Sequence, residues 1–159
     1  MRLRSLIAAL LILPAIISCK RSGKVANGEP VKDPTGYFTF KGKPPKGFQE
    51  IDWIAINPQE PDPKAPHDAN WGSDFPHGLV YFKNKKRVRF DSFSISGNDL
   101  HFKTVQSGGV SYSFDGSFGP EKAFDDVQKE LSALTGKLVK QTSQGVTQVN
   151  AEFYWFNGD

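Results

Sequence analysis

Four side chains in one short stretch have the chemistry of metal ligands: His67, Asp68, Asp74 and His77. Imidazole and carboxylate suit zinc and similar ions. The stretch also carries prolines at 58, 61, 63, 66 and 76. That composition sets no regular spacing that would make the four converge, and no metal site is expected. A second chemistry would pair carboxylates as acid and base, and Asp52, Asp91, Asp99 and Asp115 are the candidates. Nothing fixes their separation, and Asp99 and Asp115 fit ordinary turns. Serines are frequent, yet no Gly-x-Ser-x-Gly elbow exists to expose a nucleophile. No glycine-rich phosphate loop is present either, and no cofactor is expected.

Binding is the better-supported chemistry. Trp71, between Asn70 and Gly72 in the proline-rich stretch, is the best aromatic contact residue, with His67, Asp74 and His77 as polar neighbours. Trp53 and Trp155 lie in strand-like patterns and read as core. The run Lys83-Asn84-Lys85-Lys86-Arg87 is the densest charge cluster, and Lys85 and Arg87 are its candidate contacts for anionic headgroups or an acidic glycan. The ordinary role of such a run is to keep an exposed strand edge from aggregating.

The elements that must position these residues are mostly strands. Tyr37, Phe38 and Phe40 suggest the first, and Phe48–Ile56 the second. Prolines cannot sit inside a sheet, so 57–78 is a long loop. From Leu79 the chain becomes a meander with turns at Asn84-Lys85, Gly97-Asn98 and Gly108-Gly109. Val88 and Phe90 are out of phase with Phe93 and Ile95, which places a β-bulge at Asp91-Ser92. Val110, Tyr112 and Phe114 alternate with polar residues, as in a half-buried strand. Gly119-Pro120 opens a short α-helix over Glu121–Glu130. A strand over Leu134–Gln141 and a last strand bearing Val149, Ala151, Phe153 and Trp155 on one face complete the series. About seven or eight antiparallel strands and one helix suit a mainly β fold, either a β-sandwich or a partly open β-barrel.

The N-terminus carries an address. Arg2 and Arg4 precede twelve residues, Leu6–Ile17, that are apolar but for Pro14. That run fits the hydrophobic region of an export signal and is too short for a spanning helix. It ends Ile16-Ile17-Ser18-Cys19, and Cys19 is the sole cysteine. This resembles the lipobox of bacterial lipoproteins. The resemblance covers roughly the first 20 residues and implies cleavage between Ser18 and Cys19, with lipid, including a palmitate-type acyl chain, on the cysteine. It also implies a lipid-anchored place in the cell envelope. Lys20, where an Asp often retains such proteins at the inner membrane, tilts the reading to the outer membrane.

Removing 18 residues from 159 leaves 141, enough for one cored domain. The division expected is signal peptide 1–18, lipidated cysteine and flexible tether 19–35, and a single β-rich domain 36–159. The net charge of +3 loses Arg2 and Arg4 with the signal and falls to about +1, so nucleic acid is not an expected partner. With one cysteine, the domain has no internal disulfide and depends on core burial. The function expected is ligand or partner binding in the envelope without catalysis. The alternatives are a small hydrolase of envelope glycan or lipid, and a lipocalin-like carrier of an apolar ligand.

Overall fold

The structure is a computed structural model that describes residues 30–57, 77–124 and 131–157. Ser18, Cys19, His67, Trp71 and Asp74 lie outside the described residues, as does the 125–130 part of the expected helix.

Eight strands follow one another in chain order: β1 (Gly36–Phe40), β2 (Ile51–Ile56), β3 (Gly78–Phe82), β4 (Arg87–Ser96), β5 (Asp99–Thr104), β6 (Ser111–Phe118), β7 (Leu134–Thr142) and β8 (Gly145–Phe156). Each pairs antiparallel with the next, and β8 pairs back onto β1 through Phe38↔Trp155 and Phe40↔Phe153. Of the architectures left open by the sequence, the molecule is a barrel, and it is fully closed. Closure removes the free edges that a sandwich would have to protect. The helix is reduced, among the described residues, to one 3-10 turn at Glu121–Phe124.

The period-2 alternation decides which side chains enter the barrel. Phe38, Phe40, Val80, Phe82, Phe90, Leu100, Phe102, Phe114, Leu138 and Phe153 point in and are buried. Arg87, Arg89, His101, Lys103, Asp115 and Lys137 point out and are exposed. This is the reverse of a membrane-spanning barrel, whose apolar face meets lipid. Two bulges keep the phase. At Ile51/Trp53 both Asp52 and Trp53 turn outward, so Ile51 and Ile54 can both face the core. At Phe90/Ser92 the expected bulge is present, and it returns Phe93 and Ile95 to the core side.

Inward aromatic rings fill the lumen around a patch of small residues. Gly116, Gly136 and Ala151 face one another across β6, β7 and β8. A Cβ at Gly116 or Gly136 would collide with the Phe114 ring, which occupies the space they leave. From there the rings continue. Phe114 meets Phe153 edge-on at 5.9 Å, and Phe153 stacks on Phe40 at 4.8 Å. On the other side Phe114, Phe102 and Phe90 form a stacked series, with 4.3 Å between the last two. Tyr112 extends the column toward one mouth, where its ring lies 5.4 Å from Phe82.

Because consecutive strands alternate in direction, the connections sort into two ends. At one end, Val31 packs on the core and its amide donates to the Asn98 side chain at 3.0 Å. Trp155 donates its indole N–H to Thr35 at 2.9 Å, and Phe124 packs against Phe38 and Phe118. Val31 and Thr35 thus help to cover this end. The four connections 41–50, 83–86, 105–110 and 143–144 lie at the opposite end.

Phe114→Ala should cost about 3–5 kcal/mol, and Ser113→Ala on the other face no more than about 0.5 kcal/mol. Gly136→Ala alone should cost about 1–3 kcal/mol through overpacking. Combined with Phe114→Ala it should cost somewhat less than the sum, because the ring is then gone while the backbone of Gly116 and Asp115, which the methyl also meets, remains. Urea unfolding of the four variants measures this. Strict additivity would show that the ring does not fill the glycine patch.

Candidate functional site

The end opposite Val31 is where polar groups enter the inward-facing pattern. Tyr112 and Lys140 occupy core-phase positions near the start of β6 and the end of β7, where the column of phenylalanines stops. Thr104, itself buried, takes the Tyr112 amide on its hydroxyl at 3.0 Å and fixes where β6 begins. The connection 41–50 folds back so that Phe48 is fully buried, held by a turn in which its amide donates to Pro45 at 3.0 Å. That turn delivers Glu50 to the same point.

The three side chains form one cluster. Lys140 Nζ donates to Glu50 Oε1 at 2.6 Å, and Tyr112 Oη donates to the same oxygen at 2.8 Å. Lys140 also reaches the Gly47 carbonyl at 3.4 Å and lies 5.8 Å from the centre of the Tyr112 ring. Burial pushes the Glu50 carboxyl up. Hydrogen bonds from Lys140, from its own backbone and from Tyr112, with the attraction of the Lys140 ammonium, outweigh burial and hold it below its usual value. Burial pushes the Tyr112 phenol above its usual 10.0, and the adjacent Glu50 carboxylate pushes it further. Glu50 is thus kept ionised and weakly basic, and Tyr112 is kept protonated. Both states suit a fixed polar anchor rather than a proton shuttle, which needs groups poised near the working pH.

Beside this cluster lies an open cleft of about 400 Å³. Phe82, Val88 and Val110 give it an apolar floor, and Glu50, Asn84, Lys86, Ser107, Tyr112 and Lys140 supply polar walls. A second cleft of about 370 Å³ lies on the far side of the 105–110 connection, with mainly polar walls that include Asp91, Lys103 and Gln141. Compared with models of protein families, with curated proteins and with solved structures, the chain has no match. The chemistry of the mouth therefore rests on its own residues.

The candidate residues of the sequence do not gather here as a set. Lys85 stands at the tip of the 83–86 turn, on the rim. Its backbone is left-handed, with φ of 67°. Arg87 points outward and lies over the Tyr81 ring at 5.8 Å. There it ends an external ladder across four strands in which Phe156 stacks on Tyr37, Tyr37 meets Trp53 edge-on, and Trp53 stacks on Tyr81 with 4.3 Å between them. Trp53 is thus half-buried outside the barrel and not in the core, a consequence of the β2 bulge. Trp155 is half-buried and covers the Val31 end. His77 lies at that end too, stacked on Phe93 at 5.1 Å, a barrel's length from Lys85. Among the described residues no three His, Cys, Asp or Glu side chains gather in a metal-binding group. Of the four carboxylates weighed for acid–base work, Asp99 accepts from Ser117 Oγ at 2.7 Å and Asp115 pairs with His101 at 3.4 Å on the exposed outer wall.

Glu50, Tyr112 and Lys140 are far apart in sequence and escape any motif. Their one signal is a break of pattern, since a tyrosine and a lysine continue inward-facing rows otherwise made of Phe and Leu.

The Glu50 carboxyl sits below its ordinary 4.5, so the stability it adds is whole above that value and is lost as pH falls through the lowered one. Glu50→Gln should therefore destabilise the chain at pH 7, by at most about 1 kcal/mol for so accessible a pair. The difference from wild type should close as the pH falls below 4.5 and through the lowered value of the carboxyl. Denaturant melts across that range check it. A deficit unchanged with pH would mean that the pair contributes nothing through its charge.

Proposed function

We propose that this chain is an envelope lipoprotein, lipid-anchored through Cys19 and placed at the outer membrane, whose barrel binds a ligand at its open mouth without transforming it. The observation that carries the binding reading is the mouth cleft: about 400 Å³ of concave space with an apolar floor and a pre-formed polar cluster of Glu50, Tyr112 and Lys140. Such sites, apolar with a few fixed polar groups, are the usual form of ligand pockets. The locked protonation states of Glu50 and Tyr112 support binding over acid–base catalysis.

The barrel axis is a poorer place for a ligand. Eight strands leave an interior just wide enough for side chains or for one small ligand. Here Phe102, Phe114 and Phe153 stand in that space, each no more than 3% exposed. A lipocalin-like carrier would have to expel those rings.

The anchor and the cleft are tested separately. Cells fed labelled palmitate should mark the wild-type chain, and Cys19→Ala should take no label and remain uncut before residue 19. Equal labelling of both ends the lipoprotein reading. For the cleft, Val110→Trp should fill the floor without touching the phenylalanine column. Wild type and variant are incubated with envelope glycan and lipid extract, and what stays bound is read by mass spectrometry. The wild type should retain a component that the folded variant loses. Identical retention places the ligand elsewhere.

A further inference from the structure

The mouth carries a local excess of positive charge. Its four connections, 41–50, 83–86, 105–110 and 143–144, contain six lysines and a single carboxylate, Glu50. Glu50 is already engaged by Lys140, a seventh cation. Lys41 is engaged as well, 3.7 Å from Glu152. Lys43, Lys46, Lys83, Lys85 and Lys86 are exposed, and among the described residues none of them joins an ion pair. At the other end Lys32 pairs with Glu121. The mouth is therefore basic: exposed lysines stand on the two connections, 41–50 and 83–86, that also give Glu50, Asn84 and Lys86 to the concave cleft. A low-dielectric floor beside such charges concentrates their field.

Lys85 sharpens the point. Phe82 and Lys86 close a hairpin in which the Lys85 amide donates to the Phe82 carbonyl at 2.8 Å, and Lys85 takes the left-handed conformation that favours glycine. A lysine there is strained, and strain retained at a surface tip points to a use for the side chain.

Resting on the reading of the mouth as a binding site, we infer that its ligand is a polyanionic polymer of the envelope, an acidic or phosphorylated glycan strand. Lysine ammoniums on flexible stems act as point charges and lack the planar fork by which arginine grips one carboxylate or phosphate in register. Five of them spread over two connections match a density of charge along a chain better than one small anion. The concave rim fits a strand better than a flat bilayer, and the chain leads toward Cys19 from the opposite end, at Pro30 and Val31.

The test uses the lipid-bearing chain in phosphatidylcholine discs, with sulfated dextran as the probe and neutral dextran as its control. The sulfated polymer should bind and the neutral one should not. Release of counterions by about five cations should weaken binding roughly a hundredfold between 50 and 200 mM salt. Lys43→Glu/Lys83→Glu/Lys85→Glu should weaken it at least tenfold. Lys32→Glu/Lys122→Glu/Lys137→Glu, which changes net charge equally but lies away from the mouth, should change it less than threefold. Lys85→Gly guards against misfolding: it should keep or raise the melting temperature and still lose affinity several-fold. Equal losses in the two triple variants would overturn the inference, as would salt-independent binding or no binding. So would capture of added phosphatidylglycerol vesicles in place of the polymer. In any of those cases, retention that Val110→Trp abolishes would leave the cleft standing with a different ligand. Loss of that retention difference would remove the cleft itself.

Discussion

The packing of Phe114 over Gly116 and Gly136 is the contact on which the molecule turns. Two strands can bring backbones together at a glycine pair only if something else fills the inward space. Here the ring does so, and from it the stacked series runs both ways around the barrel to Phe40 and Phe90. Among the described residues a closed sheet of eight strands leaves no edge to offer a partner strand, and buried aromatic rings occupy its lumen. Recognition is driven to the ends.

The two ends are built for different tasks. One is covered by chain: Val31, Trp155 and Phe124 pack over it, and Asn98 and Thr35 take up the polar groups that arrive with them. The other is left open where Tyr112 ends the aromatic column. A buried phenol needs a partner, and Glu50 is that partner. A half-buried carboxylate needs a cation, and Lys140 supplies it. Each group answers the demand of the previous one, so the cluster is as much a consequence of stopping the column as a device for binding. Its effect is to use up the one carboxylate at a mouth otherwise made of lysines. The surrounding positive charge is left for a ligand.

The strands were legible because each is a run of alternating side chains bounded by Gly, Asn or Pro. The bulge at Asp91-Ser92 was legible for the same reason, as a slip in that alternation. The slip at Asp52-Trp53 was not, since Ile51, Ile54 and Ile56 hide it among residues apolar on both faces, and Trp53 was assigned inward in consequence. Closure could not be read at all. It depends on β1 meeting β8, a pairing between residues more than a hundred positions apart. Of the helix expected over 121–130 the described residues hold one 3-10 turn at Glu121–Phe124, and the strand expected from Leu134 is β7. The cluster of Glu50, Tyr112 and Lys140 required the closed barrel to bring its members together. The lysine run at the 83–86 turn was visible as a run, but its company, Lys43 and Lys46 on the neighbouring connection, appears only once alternate connections are known to share an end.

Mapping the contact surface directly tests the central claim, that the barrel binds at its basic mouth. Backbone amide shifts of the isotopically labelled chain, followed as sulfated dextran is added, would report where the polymer sits. The account predicts changes concentrated in 41–50, 83–86 and 105–110 and at Lys140, with Phe102, Phe153 and the Val31 end unmoved. Shifts centred on Phe102 and Phe153, or on Val31, Asn98 and Trp155, would contradict it.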